Sequence, residues 1–136
     1  MAECYHPDVV FSDPAFGQLN GREVWAMWKM LIGRNGGNLE ITFSDVEADD
    51  HLGAANWTAK YVFGKTGRHV TNRVHAEFKF KDGLIVAHRD SFNFAKWARQ
   101  AFGLKGFLFG NADFFRSKIR VKARQSLQDY IQRFKL

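Results

Sequence analysis

Two residues of the segment LIVAHRDSF (84–92) could do acid–base chemistry together: His88 and Asp90 stand two apart, so on a strand they share a face. A carboxylate on a face turned to an apolar interior loses hydration and gains basicity, as removal of a proton beside a carbonyl requires. An imidazole next to it can orient it or relay the proton. The plainer alternative is a buried carboxylate satisfied by His88 or by a backbone amide, with His88 itself structural. A third acid, Asp13, sits in Ser12-Asp13-Pro14, which is also ordinary turn chemistry: the Asp accepts local amide hydrogen bonds and Pro14 fixes the next dihedral.

Other reactive types offer less. The five histidines, at 6, 51, 69, 75 and 88, lack tight ligand spacing, and the lone Cys4 has no thiol partner for a disulfide or a zinc site, so neither metal nor cofactor is expected. No glycine-rich phosphate loop, nucleophile elbow or Asp-Arg-Asp constellation can be assembled. Trp25, Trp57, Tyr61, Phe63, Val74 and Phe92 read individually as core. As a set they would line an apolar pocket, with Tyr61 and Asn72 as the polar groups that orient a ligand.

The elements that must position these groups are marked by period. NGREVWAMWKMLIGRNGG reads as a helix: Asn20 caps it, Glu23 stands three residues on as in a capping box, and Gly36 with Gly37 stops it. Val24, Met27, Trp28 and Leu31 form its apolar stripe. From residue 39 the period is two. Leu39, Ile41 and Phe43, then Trp57, Ala59, Tyr61 and Phe63, then Val74, Ala76, Phe78 and Phe80 alternate with polar neighbours, as half-buried strands do. Short glycine-bearing turns between them suggest a meandering sheet.

The last hairpin has two possible registers. A two-residue turn at Asp82-Gly83 pairs Lys81 with Leu84 and places His75 opposite Asp90. A three-residue loop with Gly83 left-handed pairs Phe80 with Leu84, Ala76 with His88 and Val74 with Asp90. The second keeps one face apolar and is preferred, because a one-residue slip moves every side chain to the other face. His88 and Asp90 then point inward, while Arg73, His75, Glu77, Arg89 and Ser91 point outward.

YHPDVVFSDPAFGQLNG, the Trp-rich helix, the strand patterns and HRDSFNFAKW resemble, over roughly residues 4–98, the SnoaL-like branch of the nuclear transport factor 2 superfamily. The resemblance implies an α+β cone, a strongly curved mixed or antiparallel sheet around helices with a pocket in the concavity. Its members include polyketide cyclases, ketosteroid isomerase, limonene epoxide hydrolase and proteins that only bind or scaffold. In the cyclases the general base is an aspartate on the last strand in a His-Trp-Asp-like context, which Asp90 matches with Arg89 in place of Trp. Asp13 falls where the isomerases place a proton-shuttling aspartate. The isomerases' second acid would fall at Ala76, so steroid-type isomerisation is disfavoured. The family opens with a long helix, whereas few residues precede Tyr5. That helix is then missing or abridged, or the C-terminal helix covers the pocket in its place.

The charge of +6 is uneven: residues 1–98 hold 11 Lys and Arg against 12 Asp and Glu, and the last 38 hold 9 against 2. In the tail, Phe115, Ile119, Ala123, Leu127, Ile131 and Phe134 form one helical stripe, preceded by a glycine-punctuated apolar linker, FGLKGFLFGN. The expected organisation is a SnoaL-like domain at 1–98 and a basic linker and amphipathic helix at 99–136 packed on it. Deleting 113–136 should then leave an insoluble or molten chain. At 136 residues with 46% hydrophobic content, and without an apolar run long enough to span a bilayer or a signal-like start, the chain reads as one soluble cytoplasmic domain. Its expected partners are a small apolar, carbonyl- or polyketide-like molecule and a second copy, as a homodimer through the outer sheet face. The expected chemistry is cofactor-independent isomerisation, cyclisation or dehydration. The rival is a non-catalytic binder or interaction protein whose basic helix meets nucleic acid or an anionic membrane, contacts that a solvated helix face makes unnecessary.

Overall fold

Alternating strands dominate the computed structural model, which describes residues 2–35 and 38–136. After a single 3-10 turn come β1 (Tyr5–Asp13), β2 (Gly17–Asn20), α1 (Arg22–Asn35), β3 (Glu40–Ala48), β4 (Leu52–Phe63), β5 (Arg68–Lys81) and β6 (Leu84–Ser91). Three helices follow: α2 (Phe94–Phe102), α3 (Leu104–Phe109) and α4 (Asp113–Phe134). The strands form one curled open sheet in the order β2-β1-β6-β5-β4-β3. It is mixed, because β1 runs parallel to β6 while every other neighbouring pair is antiparallel. The α+β cone is therefore present.

At the start of α1, Glu23 Oε1 accepts the Asn20 amide at 3.1 Å, half of the expected capping box. Gly36 and Gly37, the expected stop, lie outside the described residues. The α1 stripe packs Val24, Met27 and Met30 against Val9 and Phe11 of β1, Leu19 of β2, and Leu127 and Ile131 of α4. A second core joins Val70 of β5 to Phe94, Trp97, Ala98 and Ala101 of α2 and Phe115 of α4. Helix α4 thus ties two cores together with residues 12 positions, about 18 Å, apart. Phe134, the last member of its stripe, is exposed.

Three expectations need correction. First, the β5–β6 turn is the two-residue form. Asp82 and Gly83 have φ of 53° and 78°, as a type I′ turn requires, and Lys81 pairs with Leu84. Phe80 then pairs with Ile85 but Lys79 with Ala87, so Val86 is a bulged extra residue. Phe78 faces His88 and Ala76 faces Asp90, in place of the expected Ala76–His88 and Val74–Asp90 pairs. The tight turn suits strand twist, the apolar alternation needs burial, and one bulge satisfies both. His88 and Asp90 consequently do lie on the inner face. Second, β3 is an exposed edge strand, with Phe43 67% accessible, because it ends the sheet beyond β4. Third, the apolar linker contains a helix, α3, whose Gly106 and Gly110 allow its backbone to lie directly on α2.

Candidate active site

Parallel pairing brings the two ends of the resemblance together. Phe11 lies beside His88 and Ser12 beside Arg89, so the same register, continued by one residue, sets Asp13 alongside Asp90. Asp90 is 4% and His88 6% exposed, and His88 Nε2 is 2.7 Å from Asp90 Oδ1. His88 Nδ1 lies 2.9 Å from the Tyr5 hydroxyl, which also accepts the Trp28 indole N–H at 2.9 Å. These bonds have a direction. A carboxylate only accepts, so a neutral His88 donates from Nε2 to Asp90 and accepts the Tyr5 O–H at Nδ1. Phe78, Phe11 and Trp28 enclose the imidazole, with ring centroids 4.5, 5.0 and 6.2 Å away. Burial pushes the Tyr5 hydroxyl pKa well above its ordinary value and keeps it protonated.

Asp13 ends β1. Its Oδ1 accepts the amides of Ala15 at 2.9 Å and Phe16 at 2.6 Å, the turn chemistry its neighbours suggested. Burial pushes its pKa up to about 6, against the pull of those amides and with help from the nearby Asp90 charge. Tyr61, on β4, accepts the Trp97 indole N–H at 2.8 Å, and among the described residues its own O–H has no acceptor, which leaves it able to donate to a molecule in the cavity. Burial raises its pKa too.

Asp13, Asp90 and Tyr61 line a common cavity of about 410 Å³ with Trp57, Phe63, Asn72, Val74 and Phe92. Helix α4 supplies a wall through Ile119, Lys122, Ala123 and Ser126. Two expected residues are placed elsewhere. His88 lies behind Asp90 and does not line the cavity. Trp25 is a correction: helical rotation turns it off the pocket, where Lys29 Nζ sits 4.8 Å from its ring, and Trp28, three residues on, lines the wall instead. Tyr5 and Trp97 carry polar roles that the sequence reading did not assign. Tyr5 reaches His88 only through the parallel β1–β6 pairing, which leaves no local pattern. Trp97 followed a visible helix start at Asn93, whose side chain caps α2, and could have been found from it.

Solved structures share this architecture. A protein with a ketosteroid isomerase-like fold from Catenulispora acidiphila DSM 44928, in complex with trimethylamine, is 14% identical over 74% of this chain and 78% of its own, at TM-score 0.62. A nuclear transport factor 2-like protein of unknown function from Burkholderia pseudomallei K96243 is 16% identical over 74% and 82%, at 0.61. A provisionally assigned SnoaL-like polyketide cyclase from Jannaschia sp. CCS1 is 13% identical over 74% and 75%, at 0.63. These likenesses define the class by fold alone: nuclear transport factor 2-like. Residues 1–88 match the profile of the SnoaL-like domain, and the chain belongs to that family. Comparison with curated proteins finds no match.

Proposed function

We propose that this protein binds a small apolar carbonyl compound and moves a proton on it without a cofactor. The observation that carries the reading is the convergence of two carboxylates, Asp13 and Asp90, and a free phenol proton, that of Tyr61, on one apolar cavity. Asp90 removes the proton next to the carbonyl, and Tyr61 donates to the oxygen on which charge develops. Asp13, protonated over part of the neutral range, returns a proton to the product. His88 holds Asp90 in place and is itself oriented by Tyr5. Deuterium exchange at the α-carbon of a panel of apolar β-diketones and β-keto esters, followed by proton NMR, tests this. Wild type should exchange at least one member, and Asp90→Asn should slow it by roughly 100-fold or more. Equal rates in both proteins, or no exchange at all, would overturn the catalytic reading and leave a binder. The exposed outer face with Arg73, His75, Glu77, Arg89 and Ser91 supports pairing of two copies, and a monomer mass by light scattering would refute that.

One observation favours a second role for the tail, on an anionic membrane. Helix α3 buries its glycines and displays Leu104, Phe107 and Leu108, beside Arg99 and Lys105. Large apolar groups outside and cations around them suit insertion among acidic headgroups. Flotation with phosphatidylglycerol vesicles should recover wild type but not a Phe107→Ser, Leu108→Ser double variant. Equal recovery on pure phosphatidylcholine, or none on either, would refute this role.

A further inference from the structure

The cavity wall is mostly apolar, yet the charged side chains where it meets solvent are all cations. Arg34 near the end of α1, Lys65 in the β4–β5 turn and Lys122 on α4 each line the cavity and are exposed. Among the described residues none of the three has an ion pair or a hydrogen bond. They come from three separate elements, so no charge run along one helix explains the grouping. The tail's basic excess accounts for Lys122 alone, since residues 1–98 are balanced in charge. Of the acids of the cavity, Asp90 is buried and Asp13 half-buried, both less exposed than the three cations. The cavity is thus polarised, with cations at the mouth, apolar walls between and acids at the floor.

We infer that the ligand of this cavity is an apolar molecule bearing an anionic group, carboxylate or sulfonate in type. The anion is held at the mouth by Arg34, Lys65 and Lys122, and an uncharged carbonyl end is directed to the floor. This rests on the proposal that the cavity is the ligand site, and it adds the ligand's charge and orientation. An anion at the floor would face two carboxylates in a low-dielectric setting. At the mouth it meets three cations, which relieves their mutual repulsion. The same arrangement would draw an anion to the entrance and turn it head outward before its apolar body is buried. At about 410 Å³ the cavity lies in the lower part of the range of small-molecule sites.

Two probes of one aromatic frame separate charge from apolar fit: 8-anilinonaphthalene-1-sulfonate and neutral N-phenyl-1-naphthylamine. Binding is read by quenching of tryptophan emission, because Trp28, Trp57 and Trp97 line the cavity. The sulfonate should bind roughly tenfold more tightly in 50 mM salt and lose most of that advantage in 500 mM, while the neutral probe is unaffected. Arg34→Glu, Lys65→Glu and Lys122→Glu should each weaken the sulfonate by roughly 2- to 5-fold and leave the neutral probe unchanged. These sites are exposed, so folding is retained, and the salt series needs no variant. If the neutral probe binds and the sulfonate binds no better, the inference fails while the cavity reading stands. If neither probe binds, the cavity reading fails with it.

Discussion

Replacing Asp13 with Asn should make the protein more stable at pH 8 and leave it nearly unchanged at pH 4. Burial raises the folded pKa from 3.8 to about 6, so between these values the native chain holds a proton that the unfolded chain has released. Stability therefore falls as pH rises through this window and is fully reduced above it. Two units at 1.36 kcal/mol each set the scale at about 3 kcal/mol. Asparagine keeps an oxygen for the Ala15 and Phe16 amides but carries no charge to desolvate. Its weaker acceptance of those amides offsets part of the gain, leaving on the order of 1–3 kcal/mol, or roughly 3–10 °C in Tm. Urea unfolding of both proteins at half-unit steps from pH 4 to pH 8 reads the effect, since titrating groups that do not interact with Asp13 cancel in the difference. Curves that stay parallel across the window would refute the argument that desolvation dominates at Asp13. The expected gain in stability with loss of an acid is the usual trade at a functional site.

Tyr5→Phe leaves both the Trp28 indole and His88 Nδ1 without their partner, so it should cost about 1–3 kcal/mol by denaturant titration and shift the His88 ring nitrogen signals. Leu127, fully buried between α1 and the sheet, should cost about 2–5 kcal/mol on replacement by Ala, whereas Val121→Ala on the exposed side of α4 should be nearly neutral. Gly106→Ala would drive a Cβ into the Ala98 carbonyl group and should lower Tm, while Gly64→Ala, with open space around it, should not. Thermal scans of the pair decide it.

Legibility tracked the range of the interaction. The Glu23 capping bond, the α1 stripe and the strand alternations are local and were readable. The inward aim of His88 and Asp90 was readable from the apolar alternation, although it was expected through a three-residue loop and is reached instead through a two-residue turn and a bulge. The turn itself was not, since Asp82-Gly83 serves either a two- or a three-residue loop and a bulge carries no composition signal. Trp25 and Trp28 sit at neighbouring angles on α1, and which of them meets the cavity depends on how the helix is set against the sheet. The exposure of β3 follows from its place at the sheet edge, and the Tyr5–His88 bond from pairing of strands some eighty residues apart. Neither leaves a trace in any short window.

The bulge at Val86 decides which face of the last hairpin carries the acid–base pair. An unbroken ladder from the same turn would pair Ala76 with Arg89 and His75 with Asp90, turning the guanidinium inward and the acid–base pair out to solvent. What opposes that setting is the cost of an unpaired cation in the interior, several kcal/mol. Arg89, whose observed partner is Glu77 at 3.2 Å on the outer face, therefore disfavours that setting. Arg89→Leu removes that cost without touching the cavity. If the gap falls to about 1.4 kcal/mol, roughly a tenth of the molecules would occupy the inverted setting. Doubled amide signals for residues 76–90 would report a population of molecules that are folded and yet have no acid facing their ligand.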